Sequence, residues 1–485
     1  MNTIKTLFFL TSIIFFTNCQ NKNNPTAKYL SETTLNQIDT LMKVSFDRGL
    51  FNGNILIAKG NNIIYQNELG YSDASRSKKL SRNSIFNIGS IAKEFNAVAI
   101  MILNERGLLN LDDKISNFEL QLPEWSNTIS IRHLLQYTSG LPRINWNTIK
   151  NDKDIYNELK NIKQLSFKPG TDYLYSNNNV FLQRRIVEQV SGMSFNDFIQ
   201  KNLLIPGGMT NAIIDADTQN PDLVTAFNNA FVNDRAMDIE FSGWVNPTAN
   251  DMHKWIINLH SGQFISNKSL ITLFDSYSKE SSSALGIGVI EKDTLLIHQH
   301  HGSSFNYESF IHYNVKEDLS IVLMTNNKNR KLREITDAVE NILKGNTFSI
   351  PQKSIYFAIR EKCYDNANEG IQLYKNLKKQ NFSEYNFSDE NELNQLGYDL
   401  IKKGQIEEAI SIFTLLISEF PNSSNAFDSM GESYFLNDQF ELSKISYLKS
   451  LELNPENTNA EEMINRIEKI NVLNDKLKTC IANEA

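Results

Sequence analysis

Strand-like runs stand at both ends of one long stretch of this chain, and that arrangement constrains its fold more than any other feature. Gly53–Lys59 and residues 63–69 are two short apolar runs joined by Gly60-Asn61-Asn62, a hairpin signal. Strand-like runs return only at 285–290, 295–300, 309–314 and 320–324. Between them, residues 90–106 read as a strongly helical stretch ended by Gly107, and residues 112–207 are mainly helical with turns. Residues 34–48 carry Leu35, Ile38, Leu41, Met42 and Ser45 at helical spacing, and a closing helix is predicted over 331–343. A sheet built from both ends around a helical insert is therefore expected, in one α+β domain over residues 34–345.

The tail follows a different rule. Gly397 recurs as Gly431, Ala409 as Ser443, Phe413 as Tyr447 and Pro421 as Pro455, each 34 residues apart. Small, aromatic and proline positions at that period match the tetratricopeptide pattern, in which small residues let paired helices approach and proline ends the second. Residues 390–485 are thus expected to form an all-α module of such repeats with a capping helix at 461–476. Residues 346–389 read as linker helices, of which 365–379 could cap the other end. A docking groove for a peptide or protein partner is one reading, and a packing appendage or dimer contact the other.

At the other extreme, Lys5 precedes a ten-residue apolar run, 7–16, that is short for a bilayer span but suits a secretory h-region. Thr17-Asn18-Cys19 follows and resembles a bacterial lipoprotein signal, with Asn18 departing from the small residue usual before the cysteine. Residues 1–18 are then a signal peptide, Cys19 the lipid attachment site, and 19–33 a tether to the domain. The expected location is the bacterial cell envelope, as an exported, membrane-anchored lipoprotein; a plain signal peptide or an uncleaved anchor is the alternative. With three cysteines no dense disulfide framework is possible, and Cys363 and Cys480 stay open between free and paired. A net charge of −8 without a Lys/Arg stripe argues against nucleic acid as a partner.

Chemistry concentrates in three places. Ser90-Ile91-Ala92-Lys93 puts a hydroxyl and an amine one helical turn apart, after Phe86-Asn87-Ile88-Gly89 and before an apolar helix. A lysine in apolar surroundings can accept a serine proton, and a helix N-terminus suits an oxyanion. Ser-x-x-Lys also occurs at Ser75, Ser276 and Ser446, so the pattern needs its context. Tyr175-Ser176-Asn177 offers a hydroxyl that can relay a proton and an amide that can hold both Lys93 and a substrate carbonyl. His300-His301-Gly302-Ser303 ends a strand-like run, where a glycine allows close approach and the next N–H can face an oxyanion.

Taken in order, Ser-x-x-Lys, Tyr-x-Asn and His-x-Gly resemble the serine β-lactamase and penicillin-binding-protein family, above all its branch related to class C β-lactamases, which includes esterases and D-amino-acid peptidases. Arg132-His133-Leu134-Leu135-Gln136-Tyr137-Thr138-Ser139-Gly140-Leu141 and Thr248-Ala249-Asn250-Asp251 add to the likeness. The resemblance implies an antiparallel sheet flanked by helices, an all-helical subdomain and an acyl-enzyme mechanism without a metal or other cofactor. By position it makes Ser90 the nucleophile, Lys93 its base and Tyr175 the relay to the leaving group. Asn177, His300, Gly302 and Ser303 would bind substrate, with the Ser90 and Ser303 N–H groups as oxyanion hole.

Three departures bear on substrate. His300 replaces the lysine that β-lactamases and transpeptidases carry, and histidine is mostly neutral near pH 7. Tyr137 stands where this branch often has histidine, and Phe305-Asn306-Tyr307 lacks the usual Pro-Gly. An esterase, amidase or D-peptidase is expected ahead of a dedicated β-lactamase, with a catalytically silent binder of peptide or cell-wall fragments as the alternative. His298 and His300 share one strand face while His301 points away, so at most two converge and no metal site is expected. Trp244 and Trp255 read as core.

Overall fold

The computed structural model describes residues 30–215, 220–235 and 242–470. The expected signal peptide, Cys19, most of the expected tether, Cys480 and the end of the expected capping helix lie outside the described residues.

Six antiparallel strands form the sheet: β1 (Gly53–Lys59), β2 (Asn62–Leu69), β3 (Ile287–Glu291), β4 (Thr294–Ser304), β5 (Tyr307–Asn314) and β6 (Leu319–Thr325), in the order β2-β1-β6-β5-β4-β3. The first strand thus pairs with the last, Gly53 opposite Thr325, which closes the domain across its whole length in sequence. Alternation along β1 and β6 decides the layers. Ile55, Ile57, Ile321 and Leu323 face helices α1 (Glu32–Asp47) and α5 (Leu332–Leu343), meeting Ile38, Leu41, Ile335 and Val339. Leu56, Ala58, Val322 and Met324 face the larger core built by the helical insert.

Three helices of that insert position the site: α2 (Lys93–Glu105), α3 (Asn177–Ser191) and α4 (Ala249–His260). The Thr248-Ala249-Asn250-Asp251 motif is the capping box of α4: the Thr248 hydroxyl accepts from Asp251 N at 3.1 Å, and the Asp251 carboxylate accepts the Thr248 N–H at 3.3 Å. Ser139 is a buried turn residue whose hydroxyl donates to Asn179 Oδ1 at 2.5 Å.

Beyond the sheet domain come three antiparallel helix pairs: α6 (Ile355–Asp365) with α7 (Ala367–Gln380), α8 (Glu390–Lys402) with α9 (Ile406–Glu419), and α10 (Ser424–Leu436) with α11 (Phe440–Leu453). Residues 458–470 continue as helix. The glycines at the 34-residue period sit where the pairs touch. A Cβ on Gly397 would lie 2.3 Å from the Phe413 ring, and one on Gly431 2.9 Å from the Tyr447 ring. The first pair uses the same device, with Gly370 against Cys363, a free and buried thiol. Ile355, Ile359 and Tyr374 share one core with Leu396, Phe413 and Met430, so the stack begins at Ile355. Arg330 ties it to the sheet domain, donating to Gln395 Oε1 at 2.5 Å and lying over the Tyr356 and Phe357 rings.

Candidate functional site

Ser90 lies in a short 3-10 turn, Gly89–Ala92, and the α-helix itself starts only at Lys93. In a 3-10 turn positions i and i+3 eclipse, which brings Lys93 Nζ to 3.0 Å from Ser90 Oγ. On another side the Tyr175 hydroxyl donates to the same oxygen at 2.9 Å. Tyr175 is held there by the start of α3. Ser176 caps that helix, accepting from Asn178 N, and its hydroxyl donates to Pro142 O at 2.6 Å. Asn177, the first residue of α3, lines the same cavity, and its Oδ1 has no partner among the described residues. Lys93 is 5 % exposed, its amine 5.2 Å from the ring centroids of both Tyr175 and Trp244.

The strand run that the sequence suggested would stop at 300 continues to Ser304. Its end passes against the Ser90 turn more closely than any side chain would allow. A Cβ on Gly302 would fall 2.0 Å from Ile88 O and 3.0 Å from Ser90 N, and one on Gly89, at φ +53°, 2.4 Å from Ser303 N. Two glycines therefore bring the backbones of Ser90 and Ser303 together, the pair of N–H groups an oxyanion hole needs.

These groups open onto a cavity of about 1380 Å³. Ser90, Lys93, Tyr175, Asn177 and Ser303 all line it, and so does Trp244, which the sequence placed in the core; Trp255 is fully buried as expected. Asp152, Lys153, Asp234 and Arg235 add charges of both signs, and the exposed Trp146 and Phe305 add apolar surface.

His300 and Gly302 are not among the described residues lining this cavity. The His300 imidazole packs behind it, its Nδ1 2.6 Å from Glu94 Oε1. His298, on the same strand face, brings Nε2 to 3.1 Å from that oxygen, while His301 pairs with Glu308 on the opposite face. Glu94 Oε2 accepts from Trp255 Nε1 at 2.6 Å, and His260 Nε2 meets His298 Nδ1 at 3.0 Å. Burial opposes a charge on Glu94, but electrostatic attraction to His298, then hydrogen bonds from His298 and His300, outweigh it and hold its carboxyl at about 2. Burial lowers the His300 pKa against the pull of Glu94, and lowers that of His260 with repulsion from His298. Sequence reasoning missed Glu94; the available signal was a lone carboxylate at the head of an apolar helix. Among the described residues no three His, Cys, Asp or Glu side chains group in a way that could hold a metal ion.

Residues 36–344 match the family model described as Beta-lactamase. Penicillin-binding protein 4* of Bacillus subtilis (strain 168) is 27% identical over 354 residues, which cover 65% of this chain and 77% of that protein. Among solved structures, a penicillin binding protein from Bacillus halodurans aligns with a TM-score of 0.54 at 20% identity, covering 62% of this chain and 98% of the other. The D-amino acid amidase from Ochrobactrum anthropi SV3, solved with L-phenylalanine amide, aligns with a TM-score of 0.54 at 18% identity, covering 64% and 99%.

Proposed function

The chain belongs to the Beta-lactamase family of serine hydrolases, and from that premise we propose that it cleaves an ester, amide or D-amino-acid peptide bond through an acyl-enzyme at Ser90. The observation that carries this reading is the convergence of Lys93 Nζ and Tyr175 OH on one oxygen, Ser90 Oγ, at the floor of the cavity. Lys93 as a free amine takes the Ser90 proton while Oγ bonds to the carbonyl carbon. The N–H groups of Ser90 and Ser303 receive the oxyanion. Collapse breaks the bond to the leaving group, which departs with a proton delivered through Tyr175. Water then attacks the acyl-enzyme, giving up its proton to the same base, and restores Ser90.

The third motif supports an esterase, amidase or peptidase over a dedicated β-lactamase. His300 is spent on Glu94 behind the site, so that position offers no permanent cation to a substrate carboxylate. The mixed lining, with three carboxylates, two cations besides Lys93 and two tryptophans, suits a peptide-like substrate.

The same proposal makes the protein an exported lipoprotein held to the cell envelope through Cys19, with the helix pairs from residue 390 onward as tetratricopeptide-like repeats that dock a peptide or protein. The 34-residue recurrence of Gly397/Phe413 as Gly431/Tyr447 contacts supports the repeat reading.

Intact mass after incubation with a fluorophosphonate tests the core of it. One adduct on the wild type and none on Ser90→Ala is the expected result; no adduct on the wild type refutes an activated Ser90 and leaves the silent binder.

A further inference from the structure

Tyr137 is the residue whose conformation most needs explaining. It is a bulky aromatic, 3 % exposed, with φ at +58°, a region that side chains with a Cβ rarely adopt. Such a conformation persists only where its surroundings over-determine it, and it clusters at functional sites. Here the surroundings are explicit. Tyr137 O accepts the Leu174 N–H at 2.9 Å, Thr138 O accepts the Gly170 N–H at 2.8 Å, and Thr138 N donates to His133 O at 2.9 Å. The segment is thus clasped on both sides of the strained residue, and one clasp is the residue preceding Tyr175.

The left-handed turn sends the ring onto the catalytic side chains. The Tyr137 and Tyr175 centroids are 4.6 Å apart at 35°, and Tyr173 meets Tyr137 edge-on at 6.2 Å. Tyr137 is not among the described residues lining the cavity, and its ring meets Tyr175, so its route to the reaction runs through Tyr175.

We propose that Tyr137 is a positioning residue for Tyr175, its left-handed backbone and ring together fixing the phenol that donates to Ser90. This rests on the hydrolase reading above. With the ring removed, Tyr175 regains rotamer freedom and spends less time at 2.9 Å from Ser90 Oγ, which lowers turnover without weakening substrate binding.

A double-mutant cycle on the full chain tests it, using Tyr137→Ala, Tyr137→Phe and Tyr175→Phe with p-nitrophenyl acetate as probe ester. Tyr137→Ala should lower kcat at least tenfold with KM within twofold, and Tyr137→Phe, which keeps the ring, should fall less. In the Tyr175→Phe background, neither change should lower kcat by more than a further twofold. Equal losses in both backgrounds, or no loss in either, would overturn the inference. Should Tyr137→Ala not fold, Tyr137→Leu, which also removes the aromatic ring, carries the same cycle. Fluorophosphonate labelling of Ser90 in the wild type separates the two failures: no label defeats the hydrolase reading, whereas label without coupling defeats only the role of Tyr137.

Discussion

Lys93 Nζ stands 3.0 Å from Ser90 Oγ, with the amine almost fully buried between two aromatic rings. A buried amine in contact with one hydroxyl is placed to exchange a proton with it and with little else. Replacing Lys93 by methionine keeps the stem and removes the base. Turnover of an ester probe should then fall by about 10²–10⁴-fold, the usual contribution of a positioned general base. Stopped-flow acylation measures this directly, and a loss under threefold would mean another group takes the proton.

Gly302 should tolerate no side chain. The Cβ of Gly302→Ala would collide with Ile88 O, a backbone atom that can yield only by moving the Ser90 turn. Overpacking of this kind costs about 1–3 kcal/mol, and the same shift separates the Ser303 and Ser90 N–H groups. Activity is expected to drop at least tenfold along with a lowered denaturation midpoint. Normal activity would show that the two backbones are not jointly engaged.

Glu94 makes a prediction about pH. Its folded pKa of about 2 lies below the ordinary carboxyl value, so its stabilisation is present above about pH 4.5 and is lost as pH falls toward 2. The lowered values of His300 and His260 act in the same sense from about pH 6.5 downward, because the unfolded chain binds those protons more readily. Stability should therefore decline as pH drops from 7 to 3. Glu94→Gln should cost about 1–3 kcal/mol near neutrality and flatten the lower part of that slope. Denaturant melts at a series of pH values would show it, and parallel curves for the two proteins would contradict the charge assigned to Glu94.

The helix stack can be loosened without touching the chemistry. In Gly397→Val the added atoms meet the Phe413 ring at the closest point of the α8–α9 pair. A loss of about 1–3 kcal/mol in that pair is expected, seen as earlier hydrogen exchange in residues 390–419, while ester turnover stays within twofold. Unchanged protection would mean that the small residue at this position is not what lets the helices approach.

Much of this architecture is legible in the sequence because it follows from short-range rules. Alternation places Ile55 and Ile57 on one face of β1 and Leu56 and Ala58 on the other. The three-residue spacing of Ser90 and Lys93 already puts hydroxyl and amine within reach. The 34-residue period marks where Gly397 and Gly431 let helices touch. All these depend on neighbours along the chain, whose geometry the backbone repeats everywhere in the same way.

What the sequence left open depends on where distant elements land. Tyr175 reaches Ser90 from 85 residues away because α3 packs behind α2. His300 looked like a substrate contact as long as its strand ended there. In the folded chain β4 runs on to Ser304, and its register against β5 turns His298 and His300 together toward Glu94, leaving Ser303 to meet the nucleophile. A period of two says which residues share a face of a strand but not what that face looks at. That is decided by the packing of α2 and α4 over the sheet, and with it the pairing of Glu94, just as the strained turn at Tyr137 is decided by the distant Gly170 and Leu174 that clasp it.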